Sequence, residues 1–230
     1  MTVLYEDNHL IIVSKSAGEI VQGDKTGDTP LCEVVKAYIK QRYAKPGEVF
    51  LGVVHRLDRP VSGVCVFART SKALGRMNDL FRQGNVQKTY WALVQQAPRE
   101  SEATLTHYLI RNEQKNKSYA YDYERPGAKR AVLDYRLLGH SDHYHLLEVH
   151  LHTGRHHQIR CQLAAIGCPI RGDLKYGAAR SNPDGSISLH ARSIRFEHPV
   201  SHLPIYVEAP PPTEGPWRSF GSEEHNPPSE

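Results

Sequence analysis

The segment His55-Arg56-Leu57-Asp58-Arg59 places one carboxylate between two guanidinium groups. Arginine stays protonated at any working pH, so this arrangement favours an ionised Asp58, suited to nucleophilic attack or to stabilising positive charge. The apolar run over residues 64–68 predicts a buried strand, which puts Asp58 on the loop that enters it. Charged triplets on loops are also common as weak surface ion pairs, so this segment alone leaves a catalytic and a structural role equally open.

Alternation and turn residues predict the elements that position this loop. Strands are expected over residues 10–13, 64–68, 88–94, 103–110, 131–138, 144–151, 187–196 and 204–209. Helices are expected after an N-cap at Thr29 with Pro30 in the first turn, from an N-cap at Ser71 to a C-cap at Gly84, and over the stripe that ends at Gly167. Residues 112–127 are polar and predict an exposed excursion. Many strands that follow one another as hairpins, with only a few helices between them, indicate an α+β (mixed α/β) fold with a largely antiparallel sheet.

Length and composition predict one folded region and a tail. The 230 residues, 39% hydrophobic and 23% charged, are typical of a soluble globular protein. Residues 1–209 carry the predicted elements. Residues 210–230 are rich in Pro, Gly, Ser and Glu and are expected to be flexible, because they offer little apolar surface to bury. No secretory signal or apolar stretch of about 18 residues is evident, so we expect a cytoplasmic protein without a membrane partner.

The cysteines and the net charge give weaker evidence about function than the motifs do. The four cysteines form no Cys-x-x-Cys pair, so disulfides and a thiolate zinc site are not expected. The net charge of +4 is only mildly basic. Basic residues recur in patches, which form either a solvated surface or a discontinuous track for phosphates. These patches are residues 111–117, Lys129-Arg130, the segment from Arg155 to Arg160, and Arg192 with Arg195.

Five motifs in order carry a family resemblance. They are His55-Arg56-Leu57-Asp58-Arg59, Lys88-Thr89-Tyr90, the run from Thr153-Gly154-Arg155 to Gln158-Ile159-Arg160, Gly172-Asp173-x-x-Tyr176-Gly177, and Leu189-His190-Ala191. Together with the opening pattern Tyr5-Glu6-Asp7-x-x-Leu10-Ile11-Ile12-Val13-x-Lys15-x-Ala17-Gly18, these motifs give the chain a resemblance to the RluA-type family of RNA pseudouridine synthases from about Tyr5 to about Ala209. The resemblance implies a twisted sheet in two lobes around a central RNA-binding cleft.

The implied activity is that of an isomerase, an RNA pseudouridine synthase, which detaches uracil from C1′ of a uridine, rotates it and rejoins it through C5. Asp58 matches the family's catalytic aspartate, and an ionised carboxylate can attack, stabilise or deprotonate the sugar as its glycosidic bond breaks. Whether Asp58 attacks C1′ or removes a sugar proton stays open. Arg160 matches the arginine that pairs with this aspartate, and Tyr90 matches the tyrosine that stacks on the target base.

Substrate binding is implied as well. A uridine must leave its stack to reach the carboxylate, and Arg56 matches the arginine that fills the vacated space. Further residues expected to contact the substrate or its RNA are His55, Arg59, Arg155, His157, Ile159 and Leu189. Core packing is an equally good reading of Ile159 and Leu189. The expected partner is a stem-loop of ribosomal RNA, transfer RNA or both, bound by a monomer; no cofactor and no metal are required.

The chain departs from the family pattern at two positions and in one domain. Pro60-Val61-Ser62 stands where Thr is frequent before the Ser-Gly pair, and His156 stands where Thr is frequent. These changes affect expectations about the substrate more than about the reaction. The S4 RNA-binding domain of many relatives is not expected, because the catalytic pattern already begins at Tyr5.

Two rival functions remain. The histidines between His140 and His157 suggest a metal hydrolase, but without a bulge strand alternation places His143 and His145 on one face and His150 and His152 on the other. No His-Glu-x-x-His spacing is present. The second rival is a non-catalytic RNA-binding or assembly factor on the same fold. The presence of Asp58, Tyr90 and Arg160 together favours the enzyme.

Overall fold

The computed structural model describes residues 1–220 and divides into two compact units. Unit 1 comprises Met1–Val86 and Ala191–Ala209, and unit 2 comprises Gln87–His190 and the described residues from Pro210 onward. The division matches the two lobes implied by the resemblance. No helix within the described residues combines the length and the apolar composition needed to cross a bilayer.

The regular elements follow one another along the chain. They are β1 (Thr2–Glu6), β2 (Leu10–Lys15), α1 (Leu31–Arg42), β3 (Gly52–Val53), β4 (Ser62–Ala68), α2 (Ser71–Gln83), β5 (Gln87–Val94), β6 (Glu102–Asn112), β7 (Lys117–Tyr121), β8 (Lys129–His140), β9 (His145–Leu151), α3 (Gln158–Ala165), β10 (Leu189–Glu197) and β11 (Pro204–Glu208). Their largely antiparallel pairing confirms the predicted α+β class.

The sheet of unit 1 is buried on both faces. Its strands lie in the order β1, β2, β4, β10, with β3 beside β4 and β11 beside β10. Ile11 and Phe67 face α1, where they join Val35 in one cluster. Their neighbours along the strands point the other way and pack with Met77 of α2 and other residues in a second cluster. Burial on both faces explains why β2 and β4 are continuous apolar runs in the sequence.

Local chemistry sets the ends of the first two helices. The side chain of Thr70, one residue before the predicted cap, accepts the backbone N–H of Ala73 at 3.1 Å. Gly84 ends α2 with φ of 77°, which confirms the predicted left-handed cap. The prediction at the start of α1 is wrong by one residue, because Pro30 itself occupies the N-cap position and no side chain caps this helix.

Unit 2 is an antiparallel sheet in the order β5, β9, β8, β6, β7. One face packs on α3, where Leu109, Ala120 and Ala131 meet Cys161. We call this the helix face. The predicted hairpin of β8 and β9 is confirmed. The prediction that residues 112–127 form an irregular excursion is wrong, because β7 lies within them and pairs with β6.

The start of the C-terminal tail is packed onto unit 2. Trp217 and Phe220 are 4% and 1% exposed and share a cluster with Trp91, Leu93 and Leu146. The prediction of an unpacked tail is therefore wrong up to Phe220, since two large aromatic rings provide the apolar area that the surrounding Pro, Gly and Ser residues lack. Residues 221–230 of the predicted tail lie outside the described residues.

Replacing Phe220 tests this packing. Phe220→Ala leaves a cavity beside Trp91 and Leu146, and we expect unfolding to be easier by about 3–5 kcal/mol, measured by thermal melting. The matched control is Arg218→Ala, which alters an exposed side chain in the same segment and should shift stability by less than about 0.5 kcal/mol. Equal melting of the two variants would show that this segment is not part of the folded unit.

Candidate active site

The loop that carries Asp58 lies between β3 and β4 of unit 1, as the sequence predicted. A buried lysine, Lys15, forms hydrogen bonds with the backbone of this loop. Lys15 is 1% exposed, and its ammonium donates to the carbonyl oxygens of Asp58 at 3.3 Å, Arg59 at 3.1 Å and Val61 at 2.6 Å. Burial lowers the pKa of Lys15 to about 8, because a charged amine loses its hydration there.

Backbone contacts complete the support of this loop. The N–H of Val61 donates to the carbonyl of Asp58 at 3.0 Å, and the N–H of Gly18 donates to that of Arg59 at 2.8 Å. Gly63 follows with φ of 115°, and a β-carbon there would lie 2.2 Å from the carbonyl oxygen of Ala191. Only glycine fits this position. The backbone of Asp58 is therefore fixed, while its side chain is partly exposed.

The neighbours of Asp58 in the motif have different environments. The ring of His55 stacks on Phe81 with centroids 5.2 Å apart, and its Nε2 accepts the N–H of Val66 at 3.1 Å. Arg59 pairs with the exposed carboxylate of Asp28 at 2.7 Å. Arg56 is exposed. Within the motif, His55 thus anchors the loop to β4, whereas the Arg56 side chain is accessible from solvent.

Helix α3 of unit 2 carries the second group of predicted site residues. Its N-cap is His157, in the left-handed region with φ of 52°. The Gln158 amide fastens this turn, because its oxygen accepts Thr153 Oγ1 at 2.8 Å and the Arg155 N–H at 2.9 Å. Its nitrogen donates to the Val132 carbonyl at 3.0 Å. The turn that precedes Arg160 is thereby tied to the sheet.

Arg160 is buried and held by a carboxylate of its own unit. Its Nε and Nη2 donate to the two oxygens of Asp173 at 2.7 and 2.9 Å, and the two residues are 5% and 1% exposed. The ring of Tyr176 lies 5.2 Å from the guanidinium carbon. This bidentate pair fixes the plane of the guanidinium. The predicted pairing of Arg160 with Asp58 stays a prediction.

Tyr176 links this pair to His157. Its hydroxyl oxygen accepts the N–H of Ser118 at 2.8 Å and lies 3.0 Å from Nδ1 of His157. The hydroxyl therefore joins the backbone of β7 to the His157 ring at the start of α3. Burial raises the pKa of Tyr176, so the hydroxyl stays a donor at neutral pH.

The remaining predicted residues of unit 2 lie on β5, α3, β10 and the loop before α3. Tyr90 is 9% exposed and, two residues from Lys88, points to the same face of β5. Desolvation lowers the pKa of Lys88. Ile159 and Leu189 are both buried, at 4% exposure each. Arg155 is exposed, and its Nε donates to the carbonyl of Arg130 at 3.0 Å.

Sequence reasoning gave no role to four residues that the structure connects with this site. Lys88, Asp173 and Tyr176 stood within quoted motifs, and Lys15 stood in the opening pattern. For Lys88, the two-residue spacing from Tyr90 was the available signal. The loop carbonyls bonded to Lys15 and the arginine bonded to Asp173 lie at least 13 residues away in the sequence, so no local sequence pattern predicts these contacts.

The histidine-rich segment does not form a metal centre in the described part of the chain. No group of three or more His, Cys, Asp or Glu side chains in residues 1–220 is arranged to hold a metal ion. His152 contacts Asp134 at 2.5 Å and His150 contacts Glu148 at 3.2 Å. These are paired contacts across and along strands β8 and β9, on the face opposite α3.

Comparisons with known proteins show which family the chain resembles and which fold it shares. The family model for RNA pseudouridylate synthase matches residues 9–165. An uncharacterised RNA pseudouridine synthase of Chlorobaculum parvum is 31% identical, over 93% of this chain and 72% of that protein. The ribosomal large subunit pseudouridine synthase D of Xanthomonas campestris is 34% identical, over 93% of this chain and 67% of that protein. The solved human RNA pseudouridylate synthase domain containing 4 shares the fold, with a TM-score of 0.76 at 24% identity, covering 92% of this chain and 88% of that one.

The support of the Asp58 loop by Lys15 can be tested directly. Lys15→Met keeps the length of the side chain but leaves the loop carbonyls without their donor, and we expect a loss of about 1–3 kcal/mol in folding free energy. Amide hydrogen exchange at Gly18 and Val61 should accelerate more than in α2. Lys25→Met, at an exposed position of unit 1, is the control. Unchanged exchange at both amides in Lys15→Met would contradict the described role.

Proposed function

The chain belongs to the RNA pseudouridylate synthase family, and from that premise we propose that it isomerises specific uridines of ribosomal RNA to pseudouridine. The choice of ribosomal RNA is supported by the relative of Xanthomonas campestris, which is named for the large ribosomal subunit. Transfer RNA is the alternative substrate. The observation that carries the proposal is the Asp58 loop, a carboxylate on a backbone fixed by Lys15 and two backbone hydrogen bonds.

The proposed catalytic set consists of Asp58, Tyr90 and Arg160. Breaking the bond between N1 and C1′ builds positive charge on the ribose, which the Asp58 carboxylate meets either by bonding to C1′ or by removing a sugar proton. The freed uracil turns, C5 bonds to C1′, and the C5 proton is lost while N1 gains one. No atoms or electrons are added overall, so the proposal includes no cofactor.

Tyr90 and Arg160 complete the set. The Tyr90 ring provides an aromatic plane for the rotating uracil, and its hydroxyl is the candidate to assist proton removal at C5. Arg160 stays protonated at working pH, and its proposed charge-assisted hydrogen bond to Asp58 orients the catalytic carboxylate. The burial of Arg160 and its bidentate contact with Asp173 support this assignment, because a guanidinium fixed in orientation needs no rearrangement during the reaction.

Access to the uridine is assigned to Arg56. The target base must leave its stack, and an exposed guanidinium two residues from Asp58 can occupy the vacated space and contact phosphate. Arg59 and Arg155 are exposed and are proposed to contact the RNA backbone. For His55 and His157 the observed protein contacts support positioning roles, with any contact to RNA still a prediction. Ile159 and Leu189 are proposed to line the uridine pocket.

Removal of the carboxylate tests the proposal. We expect Asp58→Asn to lower pseudouridine formation in ribosomal RNA by at least about a thousandfold, while RNA affinity changes little. Pseudouridine mapping of total RNA, with and without the protein, measures the activity and identifies the substrate. The control is Asp79→Asn, on the exposed side of α2. Full activity in Asp58→Asn would refute the assignment, and absence of pseudouridine formation in the wild type would favour the non-catalytic assembly factor.

The contact between Asp173 and Arg160 generates a separate prediction. Asp173→Asn replaces one acceptor by a donor and leaves the guanidinium misplaced, so we expect kcat to fall about 10–100-fold with KM nearly unchanged. Because the buried arginine also loses its counter-charge, stability falls by about 3–5 kcal/mol, and the assay is run where circular dichroism shows a folded protein. The control is Asp184→Asn, on an exposed turn of the same unit. An effect on KM alone would contradict the positioning role.

A further inference from the structure

The face of unit 2 opposite α3 carries a cluster of aromatic and basic side chains. In the β6–β7 pairing, Tyr108 lies opposite Tyr121 and Ile110 lies opposite Tyr119. In the β6–β8 pairing, Tyr108 lies opposite Arg130. Directly opposed residues of an antiparallel pair share a face, so these side chains lie together. We define the tyrosine face as the set Tyr108, Lys117, Tyr119, Tyr121, Tyr123, Arg125 and Arg130.

Strand alternation separates this face from the helix face. Leu109 and Ala120 are the residues next to these tyrosines, and they point to α3 and are packed there. Tyr119 and Tyr121 are partly exposed, and Tyr123 is 61% exposed just beyond β7. The tyrosine rings are therefore reachable from solvent on the side of the sheet that α3 does not cover.

Cations lie against these rings. The guanidinium carbon of Arg125 is 4.0 Å from the ring centre of Tyr121 and 5.1 Å from that of Tyr123. The Lys117 ammonium is 5.6 Å from the ring centre of Tyr119. The acidic residue between two of these tyrosines, Asp122, alternates to the other side, where its carboxylate lies 3.6 Å from Nε2 of His107. Alternation thus places the carboxylate away from the positively charged aromatic surface.

Lys117 also connects this surface with the surroundings of Arg160. Its ammonium lies 5.1 Å from the ring centre of Tyr176, which packs on the Arg160 guanidinium. Strand β7 is the last strand in the order of unit 2. Lys117 is therefore the side chain at this edge of the sheet that contacts both the tyrosine face and a residue packed on Arg160.

We propose that the tyrosine face binds unpaired nucleotides of the substrate RNA, with bases stacked on its rings and phosphates beside Lys117, Arg125 and Arg130. Tyrosine rings and arginine planes both accept stacked bases without regard to sequence, and neighbouring cations neutralise phosphates. In paired RNA the base planes are stacked inside the duplex, so such a surface adds little to its binding affinity. The inference rests on the proposed function and adds that the substrate carries a single-stranded segment next to the modified uridine.

The test compares single-stranded and paired RNA. The double variant Tyr119→Leu/Tyr121→Leu keeps apolar bulk but removes two planes, and we expect at least about tenfold weaker binding of a labelled 12-nucleotide oligouridylate by fluorescence anisotropy. Affinity for a 12-base-pair RNA duplex should change less than about twofold. Tyr119→Phe/Tyr121→Phe retains the rings and should bind like the wild type. Tyr206→Leu is the matched control, since Tyr206 is also exposed beneath an arginine, Arg195, on a strand of unit 1.

A second pair of substitutions addresses the charges and does not depend on the leucine variant folding. Lys117→Gln/Arg130→Gln should reduce the slope of log affinity against log salt by about one to two for the single strand. Unchanged single-strand binding in both double variants, an equal loss for duplex, or the same loss in Tyr206→Leu would each overturn the inference. So would variants that bind RNA normally but lose a protein partner.

Failure of this inference is distinguishable from failure of the proposed function. If the wild type forms pseudouridine and the variants bind single strands normally, only the tyrosine face is wrongly assigned. If the wild type forms none in any RNA, the proposed function fails, whatever the binding data show. We expect the leucine variant to need about tenfold more RNA for half-maximal rate, with kcat nearly unchanged.

Discussion

A charge removed from water must be compensated within the protein, and this constraint shapes both halves of the chain. Each unit buries one cation at a motif that the proposed chemistry uses. In unit 1 the ammonium of Lys15 is compensated by loop carbonyls, including that of Asp58. In unit 2 the guanidinium of Arg160 is compensated by both oxygens of Asp173. Burial without such partners would cost several kcal/mol per ion.

The two solutions have different consequences. Carbonyl oxygens of one loop converge on Lys15, so the ammonium determines the shape of the Asp58 backbone while leaving the side chain partly exposed. The Asp173 carboxylate instead fixes the plane of a side chain, because a bidentate contact specifies direction as well as distance. Glycines permit both arrangements. A β-carbon at Gly63 would lie 2.2 Å from the Ala191 carbonyl oxygen, and one at Gly172, where φ is 90°, would lie 2.7 Å from the Ser186 carbonyl oxygen.

Most of the fold follows from patterns that are local in the sequence. A continuous apolar run was sufficient for β4, and β-prone residues with turn signals were sufficient for β5 and the β8–β9 hairpin. The loop position of Asp58 followed from the strand after it. Residues 112–127 were misjudged because β7 is a short edge strand made of Lys, Ser, Ala and Tyr, stabilised by its neighbour β6 rather than by an apolar pattern. The tail was misjudged because Trp217 and Phe220 are buried against Trp91, Leu93 and Leu146, which are distant in the sequence. The role of Asp173 was hidden for the same reason.

Period-two alternation also explains how one thin sheet can serve two purposes in unit 2. Along β5, the face that carries Lys88 and Tyr90 continues across β9 and β8 to the residues that pack on α3, the helix that carries Arg160. Along β7, Tyr119 and Tyr121 alternate with Ala120, which packs on the helix face, and therefore point to the opposite face of the sheet. A strand that slipped by one residue would exchange the two surfaces. The pairing of β6 with both β7 and β8 is therefore what keeps the proposed RNA-stacking surface separate from the proposed catalytic one.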